Sequence, residues 1–197
     1  IVIEVLAALY ARVSFAESMA VFLAIAYLVL AIRQNICCWL AAFLSSILYI
    51  GLFYSAQLYM ESILQVFYAV MAIYGWYQWR HGVDKEIGVQ INIWSIRQHV
   101  MAITTIGTLS LFFGWSMSHT DSASPFLDAF TTVAAIMATY MVACKVLENW
   151  LYWFIIDSVS IYLYLSRDLH LTALLFFVYL FLIVIGLRTW WREYRAI

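Results

Sequence analysis

Charge is scarce in this sequence. Lys, Arg, Asp and Glu together make up 11% of its 197 residues, where a soluble domain carries about 25%. Too few charges remain to cover a water-facing surface, so the chain reads as an integral membrane protein. A net charge of −1 leaves no electrostatic footprint for nucleic acid. Pro125 is the only proline. It stands just before an apolar run, at a helix start where its missing N–H is tolerated, so no run is broken by proline. Cys37, Cys38 and Cys144 form no disulfide framework and read as small apolar helix residues. His81, His99, His119 and His170 fall in loops or near helix ends. With the scattered cysteines they make no metal-ligand spacing, so no metal or cofactor is expected. A Walker motif is missing, so this chain hydrolyses no ATP. So is a Gly-x-Ser-Gly nucleophile loop, which argues against an intramembrane protease. The last apolar run has no Lys to hold retinal, which argues against a seven-helix receptor or photosensor. Nothing in the residues points to an enzyme.

What is present is apolar and aromatic. Hydrophobic residues reach 66%, aromatic residues 18%, and mean hydropathy is +0.93. So many rings suggest a site for a flat ligand. Since a span needs about 20 apolar residues, seven are predicted: about 16–32, 36–55, 59–79, 96–117, 126–143, 148–165 and 170–190. Residues 1–15 are too interrupted to span and read as an interfacial or truncated segment. The loop RHGVDKEIGVQINIW over 80–94 is the one long connection. Seven spans place Arg33, Arg80, Lys85, Arg97, Lys145, Arg188, Arg192 and Arg195 on one side, and only Arg12 and Arg167 on the other. The positive-inside rule then puts the C-terminus in the cytoplasm and the N-terminus outside.

The chain also resembles itself. Asn35-x3-Trp39 opens the second span and Asn149-x3-Trp153 the sixth; Tyr68-x6-Gly75-x3-Trp79 ends the third and Tyr179-x6-Gly186-x3-Trp190 the seventh. The order is the same in both copies. The expected domain plan is therefore a first three-helix repeat at 16–80, a loop and linking helix at 81–125, and a second three-helix repeat with the tail at 126–197. A single linking helix restores chain direction, so the repeats run parallel. That is a transporter architecture, with substrate near midplane at the repeat interface. Gly75 and Gly186 are expected to allow close helix packing. Tyr10, Trp94, Trp190 and Trp191 are expected in the interfacial aromatic belt.

Polar groups at membrane depth mark the candidate site. Asp157 lies about mid-way along the sixth span, with no deep Lys or Arg to pair with it. Intramembrane charges usually face a cavity. Asn149, Trp153 and Asp157 fall on one helical stripe, as do Asn35, Trp39 and Phe43, and Glu61, Gln65 and Tyr68. If these stripes share a cavity, it offers rings for stacking, amides and carboxylates for hydroxyls, and negative charge. A flat, cationic ring on a sugar would suit it. For Gln65, Asn35 and Asn149, binding and interhelical glue stand side by side. For Glu61, binding and simple solvation at the membrane boundary do.

The stretches ESILQVFYAVMAIYGWYQW at 61–79, ENWLYWFIID at 148–157 and LYLSRDLHLTALLFFVYLFLIVIG at 163–186 resemble the PnuC family of bacterial vitamin transporters, from about residue 17 onward. The resemblance implies an all-α fold of three plus one plus three helices, similar to SWEET sugar transporters, although the SWEET Pro-Gln pair is missing. It implies transport of nicotinamide riboside across a bacterial inner membrane by facilitated diffusion, with trapping by a cytoplasmic kinase. It places the substrate site at Trp39, Gln65, Tyr68, Asn149, Trp153 and Asp157, with Asn35 and Glu61 as further candidates. Related members carry thiamine or riboflavin, so a proton-coupled carrier of one of those is the alternative. A homo-oligomer is left open.

Overall fold

The computed structural model describes residues 15–55, 59–82, 89–119, 124–166 and 170–196, the side chains of 59–61 and 170–172 excepted. The predicted segment 1–15 therefore lies almost wholly outside the described residues. Seven helices are present among them: α1 (Phe15–Ile32), α2 (Cys37–Ser55), α3 (Tyr59–His81), α4 (Ile96–Met117), α5 (Pro125–Ala143), α6 (Asn149–Ser166) and α7 (His170–Tyr194). Each coincides with a predicted span. By length and composition α1, α2, α4, α5 and most of α7 are apolar enough to cross a membrane. Of the remaining two, α3 carries Gln65 and Tyr68, while α6 carries Asn149, Trp153 and Asp157. The helices least suited to lipid are thus the ones that hold the candidate polar groups.

The chain divides into two compact units, one ending at Tyr77 and the other starting at Gln78. In the first, α1 packs along α2. Ser45 on α2 donates to the Ala20 carbonyl of α1 at 2.9 Å, and Ser62 on α3 donates to the Ile50 carbonyl of α2 at 3.1 Å. Such bonds satisfy hydroxyls that lipid would leave unpaired. A side chain at Gly75 would run into the indole of Trp39. The absent Cβ is what lets α3 approach α2 there.

In the second unit α5 is central, packed against both α4 and α6. Its buried face is built largely from Ala129, Ala134, Ala135, Ala138 and Ala143, small residues that allow backbones to come close. Ile106, Val133, Ala134, Ala138 and Ile156 form the core there. At Gly114 of α4 a Cβ would fall 2.9 Å from the Phe126 Cα of α5, so this approach too depends on glycine. The start of α4 carries a capping box, with Ser95 and Gln98 each bonding the other's backbone N–H. His99 ties α4 to α6: its Nδ1 lies 3.0 Å from the Tyr152 hydroxyl, and its Nε2 3.6 Å from Glu148. Asn92 sews the loop before α4 to the loop before α6. It donates its N–H to the Lys145 carbonyl, accepts from Leu147 N–H, and donates Nδ2 to the Cys144 carbonyl at 2.8 Å.

Two loops share one unusual geometry. After α1, Gln34 has φ 50°, its N–H bonds the Ala31 carbonyl, and Asn35 N–H bonds the Leu30 carbonyl. After α5, Lys145 has φ 50°, its N–H bonds the Val142 carbonyl, and Val146 N–H bonds the Met141 carbonyl. Both are Schellman caps built on a non-glycine residue in the left-handed region, which costs about 1–2 kcal/mol.

The aromatic-belt expectation for Trp190 is corrected. It is fully buried, 5.4 Å from Trp150 and 6.2 Å from Trp79 by ring centroids. Trp79 donates Nε1 to the Val142 carbonyl at 3.2 Å, and Lys145 sits 4.7 Å over its ring. Next to it in sequence, Trp191 is exposed, with Arg195 across its face, as a belt residue would be. Sequence cannot tell these neighbours apart, because helical rotation alone sends one inward and the other out.

Candidate functional site

In the first unit Trp39 enters α2 one turn after the Schellman loop. It is buried, with its indole over Gly75 and its ring 6.0 Å from Tyr27. Gln65 and Tyr68 lie one turn apart on α3, both half-buried, with Tyr68 set edge-on to Phe67 at 5.8 Å. Asn35 is exposed; its Oδ1 accepts the Cys37 N–H at 2.9 Å and so caps α2. Its stripe partner Trp39 is thus at a different depth of the protein. Glu61 begins α3, and its side chain lies outside what the structure describes.

In the second unit Asn149 opens α6. It is 0% exposed, donates Nδ2 to the Val146 carbonyl at 2.6 Å, and its Oδ1 has no partner among the described residues. Trp153, half-buried, packs against the Ile106–Val133–Ala134–Ala138–Ile156 core. Asp157 is 4% exposed and has no hydrogen bond among the described residues. Ser160, one turn on, is also buried. No cluster of metal-ligating side chains occurs among the described residues. Chemically, this face of α6 is a hydrogen-bonding stripe ending in an uncompensated carboxyl. A buried carboxyl in lipid is costly unless a partner or ligand meets it.

The structure also changes the internal register. Asn35/Trp39 was matched by sequence to Asn149/Trp153. In three dimensions Trp39 rests on Gly75, and Trp150 rather than Trp153 rests on Gly186. One constant interval now separates Gln34 from Lys145, Trp39 from Trp150, Gly75 from Gly186 and Trp79 from Trp190. The signal was in the sequence, since the spacing between the two motifs differed between the copies. That discrepancy vanishes once the Trp on the glycine defines the register.

Comparison with known proteins gives a consistent picture. The family described as "Nicotinamide mononucleotide transporter" matches residues 14–192. The riboflavin/roseoflavin transporter RibM of Streptomyces davaonensis is 29% identical over 172 residues, which is 85% of this chain and 80% of that protein. The nicotinamide riboside transporter PnuC of Escherichia coli is 25% identical over 171 residues, 73% of this chain and 71% of that protein. A crystal structure of the vitamin B3 transporter PnuC superposes with a TM-score of 0.76 at 22% identity, covering 98% of this chain and 88% of that one. At that identity the superposition establishes the fold.

Proposed function

The chain belongs to the nicotinamide mononucleotide transporter (PnuC) family, and from that premise we propose that it carries a ring-bearing vitamin across the membrane, with nicotinamide riboside as substrate. Asp157 carries this reading. A mid-helix carboxyl, 4% exposed and without a hydrogen bond among the described residues, is expensive to keep in a membrane helix unless something cationic or hydroxylic comes to it. Nicotinamide riboside supplies both, as a pyridinium ring on a ribose. Trp153 and Tyr68, both half-buried, are the faces proposed for the ring, worth about 0.5–2 kcal/mol over a cation; Trp39, buried against Gly75, is the lesser candidate. Gln65 and Asn149 provide amides for the hydroxyls. The interiors of α3 and α6 hold no Lys or Arg, so a phosphorylated nucleotide would bring its charge to a site with nothing to neutralise it.

Riboflavin is the second reading. RibM is 29% identical over 85% of this chain, against 25% over 73% for the Escherichia coli PnuC. Riboflavin is neutral, and its ribityl hydroxyls would donate to Asp157 in place of a cation. Uptake by facilitated diffusion, with trapping by cytoplasmic phosphorylation, fits a chain with no nucleotide-binding motif. The proposed setting is a bacterial plasma membrane, C-terminus inward, with two parallel three-helix repeats rocking about the substrate. The recurring loop geometry and the paired Trp-on-Gly contacts support such a duplication.

The test is uptake of labelled nicotinamide riboside, riboflavin, thiamine and nicotinamide mononucleotide by cells lacking their own carriers, with and without a protonophore. Nicotinamide riboside is expected to enter without the proton gradient, and the mononucleotide not to compete. Asp157→Ala and Trp153→Ala are expected to abolish uptake while protein persists in the membrane. Normal uptake in both variants would refute the assigned site, and selective riboflavin entry would install the second reading.

A further inference from the structure

The starts of α4 and α6 lie side by side in the second unit, because Asn92 pairs with Lys145 and Leu147 in the loops before them. Between those starts runs an open groove of about 250 Å³, lined by His99 and Ile103 from α4 and by Glu148, Leu151, Tyr152 and Ile155 at and beyond the entrance of α6. Its two ends differ. Ile103 and Ile155 lie about one turn deeper along their helices than His99 and Tyr152. Together with Leu151 they form an apolar wall, each of the three at least half exposed. The shallow end is polar. The Tyr152 hydroxyl sits 3.0 Å from His99 Nδ1, with the rings stacked. If Nδ1 accepts that O–H, the Nε2–H turns toward Glu148 Oε1, 3.6 Å away. That is too long for a hydrogen bond. The other carboxylate oxygen accepts the Trp94 N–H at 3.3 Å. Glu148 meets no Lys or Arg among the described residues, and its side chain is 21% exposed. A carboxylate is thus held in place at the head of an apolar groove, with one oxygen left to bond.

Depth and charge together say what fits there. Helix α4 has 22 residues, so it is about 33 Å long, against about 30 Å of hydrocarbon. Its first turn therefore stands at the membrane boundary, the level of lipid headgroups, and the apolar wall runs inward from it. We propose that this groove binds a phospholipid with a primary-amine headgroup, phosphatidylethanolamine, with its ammonium on Glu148 and an acyl chain along Ile103, Leu151 and Ile155. Charge complementarity selects this occupant. A carboxylate repels a headgroup of net negative charge. A quaternary ammonium has no N–H with which to bond it, whereas a primary ammonium brings three donors. Neither Trp153 nor Asp157 lines the groove, so the inference goes beyond the transport reading and does not depend on it.

The experiment adds phosphatidylethanolamine, phosphatidylcholine or phosphatidylglycerol to the purified full chain in detergent and reads bound lipid by native mass spectrometry, together with the melting temperature. The wild type is expected to hold phosphatidylethanolamine on the order of ten-fold more tightly than the other two, the scale of one charge-assisted hydrogen bond. It is also expected to melt higher with that lipid, since a ligand of the folded state stabilises it. Glu148→Gln keeps an acceptor for the Trp94 N–H and is expected to lose the preference. Ile103→Trp fills the groove and is expected to lose the bound lipid. Glu193→Gln, a carboxylate outside the groove, is expected to behave as the wild type. Equal affinity of the wild type for all three lipids would overturn the proposal, and this comparison needs no variant to fold. An undiminished preference in Glu148→Gln would overturn it too. So would a concentration-dependent dimer that Ile103→Trp disperses, which would give the groove to a second copy of the chain.

Discussion

Gly186→Ala probes the contact on which the register rests. A Cβ at this position would fall 2.5 Å from Cη2 and 2.6 Å from Cζ3 of Trp150. Ordinary carbon contacts lie at about 3.5–4.0 Å, so the indole would have to retreat by about 1 Å. It has nowhere to go: Trp190 meets it edge-on at 5.4 Å, and Trp79 backs Trp190 at 6.2 Å. Overpacking costs about 1–3 kcal/mol, and a rigid, hemmed ring belongs at the upper end. Alanine returns about 1 kcal/mol of helix propensity. The net loss is about 2 kcal/mol, or about 4–8 °C of melting temperature for a chain of this size. Gly107 is the internal control, since a Cβ there meets nothing within 4 Å; Gly107→Ala is expected to hold or raise the melting temperature. Thermal loss of the monodisperse peak, followed by tryptophan fluorescence after detergent extraction, reads both. Adding Trp150→Phe to Gly186→Ala should recover at least half of the loss, because the smaller ring vacates the contested space. A Gly186→Ala protein that melts at or above the wild type would refute the reasoning, as would an equal drop in Gly107→Ala.

Further outcomes follow from other contacts. Gly114→Ala should be worse than Gly186→Ala, by melting temperature, because the Phe126 Cα at 2.9 Å is backbone and cannot rotate away; α4 and α5 would have to separate. Ser95→Ala removes the capping box and should cost about 1 kcal/mol, with faster hydrogen exchange confined to the first turn of α4. Trp79→Phe loses the bond to the Val142 carbonyl and should cost about 1 kcal/mol or more, read as a lower melting temperature with a blue-shifted residual tryptophan emission.

Much of the architecture was legible in the residues. Helical runs read from the sequence match the seven helices to within a few residues, and five of them are long and apolar enough to cross a membrane, where every backbone polar group must be satisfied inside its own helix. The role of Gly75 and Gly186 was legible too, as close packing. The partner of each glycine was not. Trp150 and Trp153 are both indoles on the first turns of α6, and only one of them can point at α7. Trp190 and Trp191 posed the same problem, and hydropathy cannot resolve it. For Asn35 the spacing left binding and a structural role side by side, and the structure shows its amide oxygen capping the entrance of α2.

By itself the sequence determined that this chain lives in a membrane, where its helices lie, and that a lone carboxyl sits deep in one of them. These follow from desolvation, which acts on each residue largely regardless of its neighbours. Which indole meets which glycine, and which serine is spent on holding helices together, were decided only in three dimensions. Those are questions of rotation about a helix axis, settled by contacts between residues far apart in the chain.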